Sequence, residues 1–282
     1  RTLISMHAVN VVLNWVLIFG NLGAPALGAT GAGVASAIAT IFGTASYFLL
    51  GRSYATDSGF LHGLPSRETL KTIVRIAAPA GTQQFFFAGG MTVFLVMVAR
   101  MGTPELAATK VIIDLVLVGI LPGIGVGLAA ASLAGQALGR VEPDDAKRWG
   151  WDVVKIAFLV VATFSLPAVL VPELMLSIFI HDPETLALAK NPLRVAAGFL
   201  FIDAVGMVLM NALTGVGDTK RVMVIAIGAQ WLIFLPVVYL VGPVLGLGLV
   251  AVFSTQALYR GLQAVLFGSM WQGGAWQRIE LH

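Results

Sequence analysis

Residues Asn191–Asp218, NPLRVAAGFLFIDAVGMVLMNALTGVGD, form a long apolar stretch with one carboxylate, Asp203, near its middle. At about 1.5 Å per helical residue, Asp203 lies about 12 Å beyond Val195, where the apolar run begins. That depth is close to the centre of a hydrocarbon layer about 30 Å thick, where an acid is costly. We therefore interpret Asp203 as a coupling-ion or proton site that faces a cavity. The alternative is a structural acid that a neighbouring helix satisfies.

The composition of the whole chain is that of a membrane protein. Of its 282 residues, 58% are hydrophobic and 11% are charged, whereas soluble domains average about 25% charged residues. The mean hydropathy is +0.91, and the apolar runs are continuous rather than alternating, which predicts helices. The predicted fold class is an all-α integral membrane protein. The net charge of +3 does not indicate nucleic-acid binding, because Lys and Arg lie in short loops.

The apolar runs predict eight transmembrane helices. Asp182 followed by Pro183 predicts the start of the sixth, and a short interfacial helix is expected at 144–149 before the fifth. Lys and Arg concentrate in alternate loops, which predicts that both ends of the chain are cytoplasmic. The predicted spans are Leu3–Phe19, Gly31–Leu50, Thr72–Ala99, Leu106–Ala137, Val153–Val171 with an extension to Phe179, the stretch Asn191–Asp218, Val222–Val241 and Leu247–Met270.

A short motif recurs before the second and eighth predicted spans. Pro25-Ala-Leu-Gly28 and Pro243-Val-Leu-Gly246 share the pattern Pro-x-Leu-Gly at an offset of 218 residues. A repeat of that length would begin before Arg1, so we expect the end of one copy followed by most of a second. Internal repeats are typical of secondary transporters, which bind their substrates near the midplane between the repeats. The alternative is a coincidence between two Gly/Pro loops.

Polar and aromatic residues within the spans are candidates for a substrate cavity. Gln83 and Gln84 are adjacent amides in an apolar helix and need partners, either another helix or water in a cavity. The residues assigned to the substrate cavity are Gln83, Gln84, Phe87, Phe199, Met207 and Met210.

Lys110 and Asp114 stand four residues apart on one face of the fourth predicted span. Opposite charges at this spacing can pair along a helix. One interpretation is a self-neutralising pair that stabilises the helix. The other is a proton-sensitive switch in which a cation or the substrate competes with Lys110 for Asp114.

The sequence carries no pattern that favours an enzyme. His7, His62, His181 and His282 lie near membrane edges or in loops without metal-site spacing. No nucleophile constellation is present, and the absence of Cys excludes disulfides and thiol chemistry. We expect no cofactor and no bound metal other than a coupling ion, H+ or Na+.

Several short stretches, in order along the chain, resemble the multidrug and toxic compound extrusion (MATE) family. The resemblance extends over essentially the whole chain. The stretches are Pro79-Ala-Gly-Thr-Gln-Gln84, Met101-Gly-Thr-Pro-Glu-Leu-Ala-Ala108, Leu121-Pro-Gly-Ile-Gly125, Gly135-Gln-Ala-Leu-Gly139, Phe179-Ile-His-Asp-Pro-Glu184, Asp203-Ala204 and Leu213-Thr-Gly-Val-Gly-Asp-Thr219.

The resemblance implies twelve helices in two six-helix lobes, of which this chain would hold helices five to twelve. Residues 1–50 would be the last two helices of the N-terminal lobe, 51–70 the cytoplasmic connector and 71–282 the complete C-terminal lobe. It also implies a monomer when full length, with the bilayer and the missing N-terminal helices as partners. The implied activity is export of amphipathic, often cationic compounds in exchange for protons or sodium by alternating access.

The resemblance also assigns the coupling residues. In sodium-coupled members an acid on helix seven pairs with an acid on helix ten; Asp203 falls at the second position, while the first falls near Phe87. Thr109, Lys110 and Asp114 replace the usual His-Gln and a later Asn, so Asp114 is a candidate second acid. These departures favour protons over sodium. A lipid-linked precursor flippase remains an alternative. Such a protein would be expected to have several cations in its cavity, and only Lys110 qualifies here. A channel or an inert scaffold is a third hypothesis.

Overall fold

The computed structural model describes residues 2–55, 63 and 65–278. The residues Arg1, His62 and His282 lie outside that part, as does the side chain of Arg278. The described chain is helical without β-strands, which confirms the predicted all-α membrane fold. The α-helices are α1 (Thr2–Phe19), α2 (Ala29–Tyr54), α3 (Arg67–Ala99), α4 (Thr103–Gly139), α5 (Pro143–Leu170), α6 (Pro172–Ser177), α7 (Pro183–Gly215), α8 (Thr219–Gly228), α9 (Leu235–Tyr239) and α10 (Gly248–Gly273).

Seven of the predicted spans coincide with helices that are long and apolar enough to cross a membrane. The seventh of these, Thr219–Val244, is formed by α8, α9 and two π-helical segments. The helix α10 lies at the position of the eighth predicted span. The chain is therefore a multi-pass membrane protein.

Two predictions around the fifth span were wrong in detail. The expected interfacial helix at 144–149 is the first part of α5, which runs without interruption from Pro143 to Leu170. The expected extension to Phe179 is a separate helix, α6, because Pro172 has no amide hydrogen with which to continue α5. The predicted start at Asp182 was confirmed: its carboxylate accepts a hydrogen bond from the backbone N–H of Thr185 at 2.9 Å.

The described chain divides into two compact units, Arg1–Arg67 and Glu68–His282. In the first unit α1 packs along α2. Within α1 the Asn14 amide donates to the Asn10 side-chain oxygen at 3.0 Å, and the Asn10 amide donates to the Ser36 hydroxyl on α2 at 3.4 Å. Gly43 leaves room for the side chain of Met6, since a Cβ at this position would overlap the Met6 sulfur.

In the second unit α7 is the central helix and packs against α4, α5 and α10. Small residues permit these close approaches. A Cβ at Gly215 would overlap the backbone of Ala131 on α4, and Ala204 and Ala212 are buried. Two buried hydrophobic clusters fill the unit, one around Leu209 and Trp271 and the other around Phe94 and Phe253.

The helix that follows α7 is irregular in a way that bears on the site. Residues Ala229–Phe234 form a π-helical segment between α8 and α9, and such segments mark local departures from the α-helical ladder, frequently at functional sites. Pro236 follows closely and cannot donate a backbone hydrogen bond. From this segment Gln230 and Trp231 donate to the backbone carbonyls of Phe87 and Phe86 on α3, at 3.3 and 3.1 Å.

Candidate functional site

An ion pair between two helices forms the centre of the site. Asp203 Oδ1 on α7 lies 3.4 Å from Arg260 Nη1 on α10, and the two residues are 57 positions apart in sequence. Only 13% of the Asp203 side chain and 27% of the Arg260 side chain are exposed. The carboxylate that the sequence singled out therefore already has a cationic partner, on a helix that the sequence analysis did not connect with it.

The packing of α7 against α10 sets this register. A Cβ at Gly206 would lie 3.1 Å from the Ala264 Cα, and a Cβ at Gly261 would lie 3.9 Å from Ile202. These small residues let the two helix backbones approach closely, as small residues do in membrane helix pairs. The approach places Asp203 opposite Arg260, one helical turn from the tightest contact.

Two aromatic rings flank the guanidinium of Arg260. Its central carbon lies 5.8 Å from the centroid of the Phe87 ring and 5.5 Å from that of Tyr259. A cation within about 6 Å of an aromatic face is attracted by the ring's electron distribution, more strongly where water is excluded. Arg260 therefore has two kinds of partner within reach, a carboxylate and two ring faces.

The pair lies in a cavity of about 140 Å³ whose walls come from both hydrophobic clusters. Among the described residues that line it, Asp203 and Arg260 are the charged ones. The Oε1 atom of Gln256 is buried here without a hydrogen-bond partner in the described structure. Polar or aromatic lining residues besides the ion pair are Phe87, Phe199, Gln230, Phe234, Phe253, Gln256 and Tyr259.

The predicted switch pair lies elsewhere. Lys110 Nζ is 3.7 Å from Asp114 Oδ1 along α4, and 62% of each side chain is exposed. Neither residue is among those lining the cavity, to which α4 contributes apolar side chains such as Ile113 and Leu117. The structure thus does not bring Asp114 and Asp203 into one cavity.

Of the residues predicted to line the substrate cavity, some line the cavity beside Asp203 and others lie elsewhere. Phe87 and Phe199 line the cavity beside Asp203. Gln83 instead donates to the Met210 sulfur at 3.3 Å, an interhelical contact between α3 and α7, and Gln84 is exposed. Met207 packs next to Gly123 on α4.

The main residue that sequence reasoning missed is Arg260. It stands in the middle of the eighth predicted span, where an ionisable side chain is by default a functional hypothesis. That signal was available and was not used. The expectation that Lys110 alone supplies a cavity cation was accordingly wrong, because the cation that lines the cavity is Arg260. Gln230 and Gln256 are lone amides in membrane helices, for which the sequence predicts bonds to a neighbouring helix; Gln230 makes such a bond to Phe87 on α3, and both amides line the cavity.

Two aspartates that precede helices, outside the membrane-spanning segments, have pKa values shifted in opposite directions. Hydrogen bonds from the Thr185 hydroxyl and backbone N–H lower the pKa of Asp182. Burial raises the pKa of Asp218, which precedes α8, although the guanidinium of Arg221 at 3.5 Å opposes that shift. Both lie at the ends of α7, which carries Asp203.

Comparison with solved structures shows a fold shared over nearly the whole chain. A structure described as the outward-facing conformation of a multidrug resistance MATE family transporter of the MOP superfamily matches with a TM-score of 0.86. The match covers 96% of this chain and 61% of that one at 20% sequence identity. A MATE structure in a straight conformation matches with a TM-score of 0.85, at the same identity and with similar coverage.

Curated relatives are also similar along most of the chain. The probable multidrug resistance protein NorM of Thermotoga maritima is 25% identical over 279 residues, covering 96% of this chain and 58% of that protein. The multidrug resistance protein MdtK of Yersinia enterocolitica is 25% identical over 244 residues, covering 83% of this chain and 52% of that protein. The chain thus spans between half and three fifths of the length of these relatives. A model of the MatE family matches residues 79–240, more than half of the chain, and the protein belongs to that family of multidrug and toxic compound extrusion transporters.

Proposed function

We propose that the protein of which this chain is a part is a secondary active antiporter that exports amphipathic, often cationic compounds in exchange for protons or sodium by alternating access. The observation that carries the proposal is the Asp203–Arg260 pair, two charges enclosed at the middle of membrane helices. Ionisable residues are rare at such depth and mark ion and substrate pathways. Membership in a transporter family and the names of the relatives support the same activity.

The size of the cavity assigns a role to Asp203 within this scheme. About 140 Å³ is well below the roughly 300–1,000 Å³ of sites that enclose a drug-sized ligand. The cavity therefore suits a coupling ion with a few water molecules. A substrate cavity that includes Gln83, Gln84, Met207 and Met210 stays a prediction, as do the second coupling role of Lys110 and Asp114.

Alternating access requires that the ion favour one facing state over the other. A proton or cation that takes the place of Arg260 at Asp203 changes the charge between α7 and α10, which pack closely in this structure. We propose that this change biases the movement of the lobes. The proposed setting is a bacterial inner membrane with both chain ends cytoplasmic and with the remaining N-terminal helices completing a monomer.

The flippase alternative gains little from the structure. A flippase for lipid-linked precursors would be expected to line its cavity with several cations. The described cavity has one, and Asp203 neutralises it.

The test compares two conservative variants of the full-length protein in proteoliposomes. We expect Asp203→Asn to abolish most of the ion-driven drug efflux, because an amide cannot take up a proton or pair with a coupling cation as the carboxylate does. Asp152→Asn is the matched control and should change efflux less than about twofold, because its pair with Lys155 is exposed at the start of the fifth predicted span. Unchanged efflux in both variants would rule out the coupling assignment.

A further inference from the structure

The carboxylate of Asp203 differs from an open cation site because its charge is already neutralised. The guanidinium of Arg260 lies 3.4 Å away. The other elements around the cavity add no charge in the described structure: α3 contributes Phe87 and Met91, α4 contributes aliphatic residues, and the π-helical segment contributes Gln230. The remaining titratable group is the phenol of Tyr259, next to Arg260 on α10.

This arrangement is expected to bind sodium weakly. A hard cation prefers several oxygen ligands at once, and the described cavity supplies one carboxylate, two amides and the phenol of Tyr259. A sodium ion at Asp203 would also stand beside the guanidinium, where two positive charges repel each other strongly away from bulk water. Because Arg260 is part of the chain, its effective concentration at Asp203 far exceeds that of a dissolved ion.

A proton meets neither obstacle. It needs a single carboxylate oxygen and no coordination shell. When it neutralises Asp203, Arg260 keeps the faces of Phe87 and Tyr259, 5.8 and 5.5 Å from its central carbon. Gln256 Oε1, buried without a partner in the same cavity, is an acceptor that a displaced guanidinium can use. The guanidinium thus keeps partners when Asp203 is neutral, so protonation can release it from the carboxylate without leaving an enclosed cation unpartnered.

We propose that Arg260 is a tethered cation that occupies the cation position at Asp203 and makes the site respond to protons and not to sodium. The inference rests on the proposed function in that it assumes Asp203 to be the coupling residue. It goes beyond that function in assigning to Arg260 the choice of coupling ion. Protonation releases Arg260 from the carboxylate while the rings and Gln256 hold it, and deprotonation restores the ion pair.

The first experiment measures sodium binding directly, with radioactive sodium on the purified full-length protein in detergent at alkaline pH. We expect no saturable binding at this site in the wild type. Arg260→Met removes the guanidinium while keeping an apolar side chain, and should gain sodium binding at least roughly tenfold tighter than the wild type, since the site becomes anionic. Lys155→Met is the matched control, which removes an exposed cation with no assigned role in coupling and should leave binding unchanged.

Two further variants identify the site and guard against misfolding. The double variant Asp203→Asn/Arg260→Met should lose the gained sodium binding, because it has no carboxylate. Arg260→Lys keeps a tethered cation and should behave like the wild type. Saturable sodium binding in the wild type that Asp203→Asn removes would overturn the proposal, and so would a folded Arg260→Met that gains none.

Transport provides an independent readout. Wild-type proteoliposomes should export drug under a proton gradient and not under a sodium gradient, whereas Arg260→Met should respond to sodium. Sodium-driven efflux by the wild type would contradict the role of Arg260 while leaving Asp203 as the coupling residue. Undiminished efflux by Asp203→Asn would instead contradict the proposed function, and the binding experiment would still decide whether Arg260 excludes sodium.

Discussion

Two ion pairs of similar length occupy very different places in the second unit. Lys110 and Asp114 are 3.7 Å apart on the same helix, with 62% of each side chain exposed. Asp203 and Arg260 are 3.4 Å apart on different helices and are largely enclosed. Distance alone would rank them as equals, whereas their surroundings separate a surface pair from a site.

The physical difference lies in what each charge loses when its partner is removed. A pair at this spacing along a single helix contributes only about 0.3–0.5 kcal/mol, because no second helix depends on it. An enclosed charge without a partner costs several times more, since desolvation is no longer compensated. The enclosed pair is therefore the one that a proton or a competing cation can use to change the protein.

The largest difference in stability is expected between the coupling energies of the two ion pairs, which double-mutant cycles measure. For Asp203→Asn and Arg260→Gln we expect a coupling energy of about 1–3 kcal/mol in the free energy of unfolding. Partial exposure of Arg260 keeps it below the cost of a fully buried pair. For Lys110→Gln and Asp114→Asn we expect about 0.3–0.5 kcal/mol. Reversible unfolding in mixed detergent micelles measures both, and equal coupling energies would remove the distinction.

A smaller effect concerns the packing of Gln230, which lines the same cavity as Asp203 and Arg260. Gly90 on α3 faces the Gln230 side chain, which a Cβ would overlap, whereas nothing lies within 4 Å of a Cβ at Gly125 on α4. We expect Gly90→Ala to lower the free energy of unfolding by about 1–3 kcal/mol through overpacking and loss of the bond from Gln230 to Phe87. Gly125→Ala should be neutral or stabilising, because Ala favours the helix.

Unfolding of both glycine variants in the same detergent gives the comparison. If Gly90→Ala were as stable as Gly125→Ala, Gln230 would be free to move. The wall of the cavity formed by α3 and the π-helical segment would then be looser than the structure indicates.

The fold could be predicted largely from the sequence because the membrane spans depend on local sequence patterns. Continuous apolar runs located the spans, and Asp182 before Pro183 located the start of α7. The recurring Pro-x-Leu-Gly motif has a structural counterpart: Gly28 and Gly246 both have positive φ angles, 56° and 63°, just before a helix begins. Such angles favour glycine because it has no Cβ.

The site could be predicted only in part, because it depends on contacts between distant residues. The depth of Asp203 was available from one helix, but its pairing with Arg260 depends on how Gly206 and Ala264 set the register of α7 on α10. The spacing of Lys110 and Asp114 is local, which made that pair easy to find and its importance easy to overestimate. The π-helical segment that positions Gln230 has no comparable local signature.

The smallest expected effect extends the comparison between exposed and enclosed charges to the two aspartates at the ends of α7. Because the pKa of Asp182 is lowered, its contribution to stability is present above its unfolded pKa of about 4 and is lost as the pH falls through its folded pKa. Because the pKa of Asp218 is raised, its contribution is present below that unfolded value and is lost as the pH rises through its folded pKa.

The two aspartates should therefore respond to amide substitution with opposite signs. At neutral pH, Asp182→Asn should lower the thermal unfolding midpoint, because the carboxylate accepts both hydrogen bonds from Thr185. Asp218→Asn should leave the midpoint unchanged or raise it, because burial disfavours the charge more than Arg221 compensates. Measured again near pH 4, the difference for Asp218→Asn should shrink as that carboxylate takes up its proton, whereas the difference for Asp182→Asn should be lost only at lower pH, below its lowered pKa. A loss of stability at neutral pH in both variants would mean that the ion pair with Arg221 outweighs burial at Asp218. Burial would then not determine the sign of the stability change at Asp218.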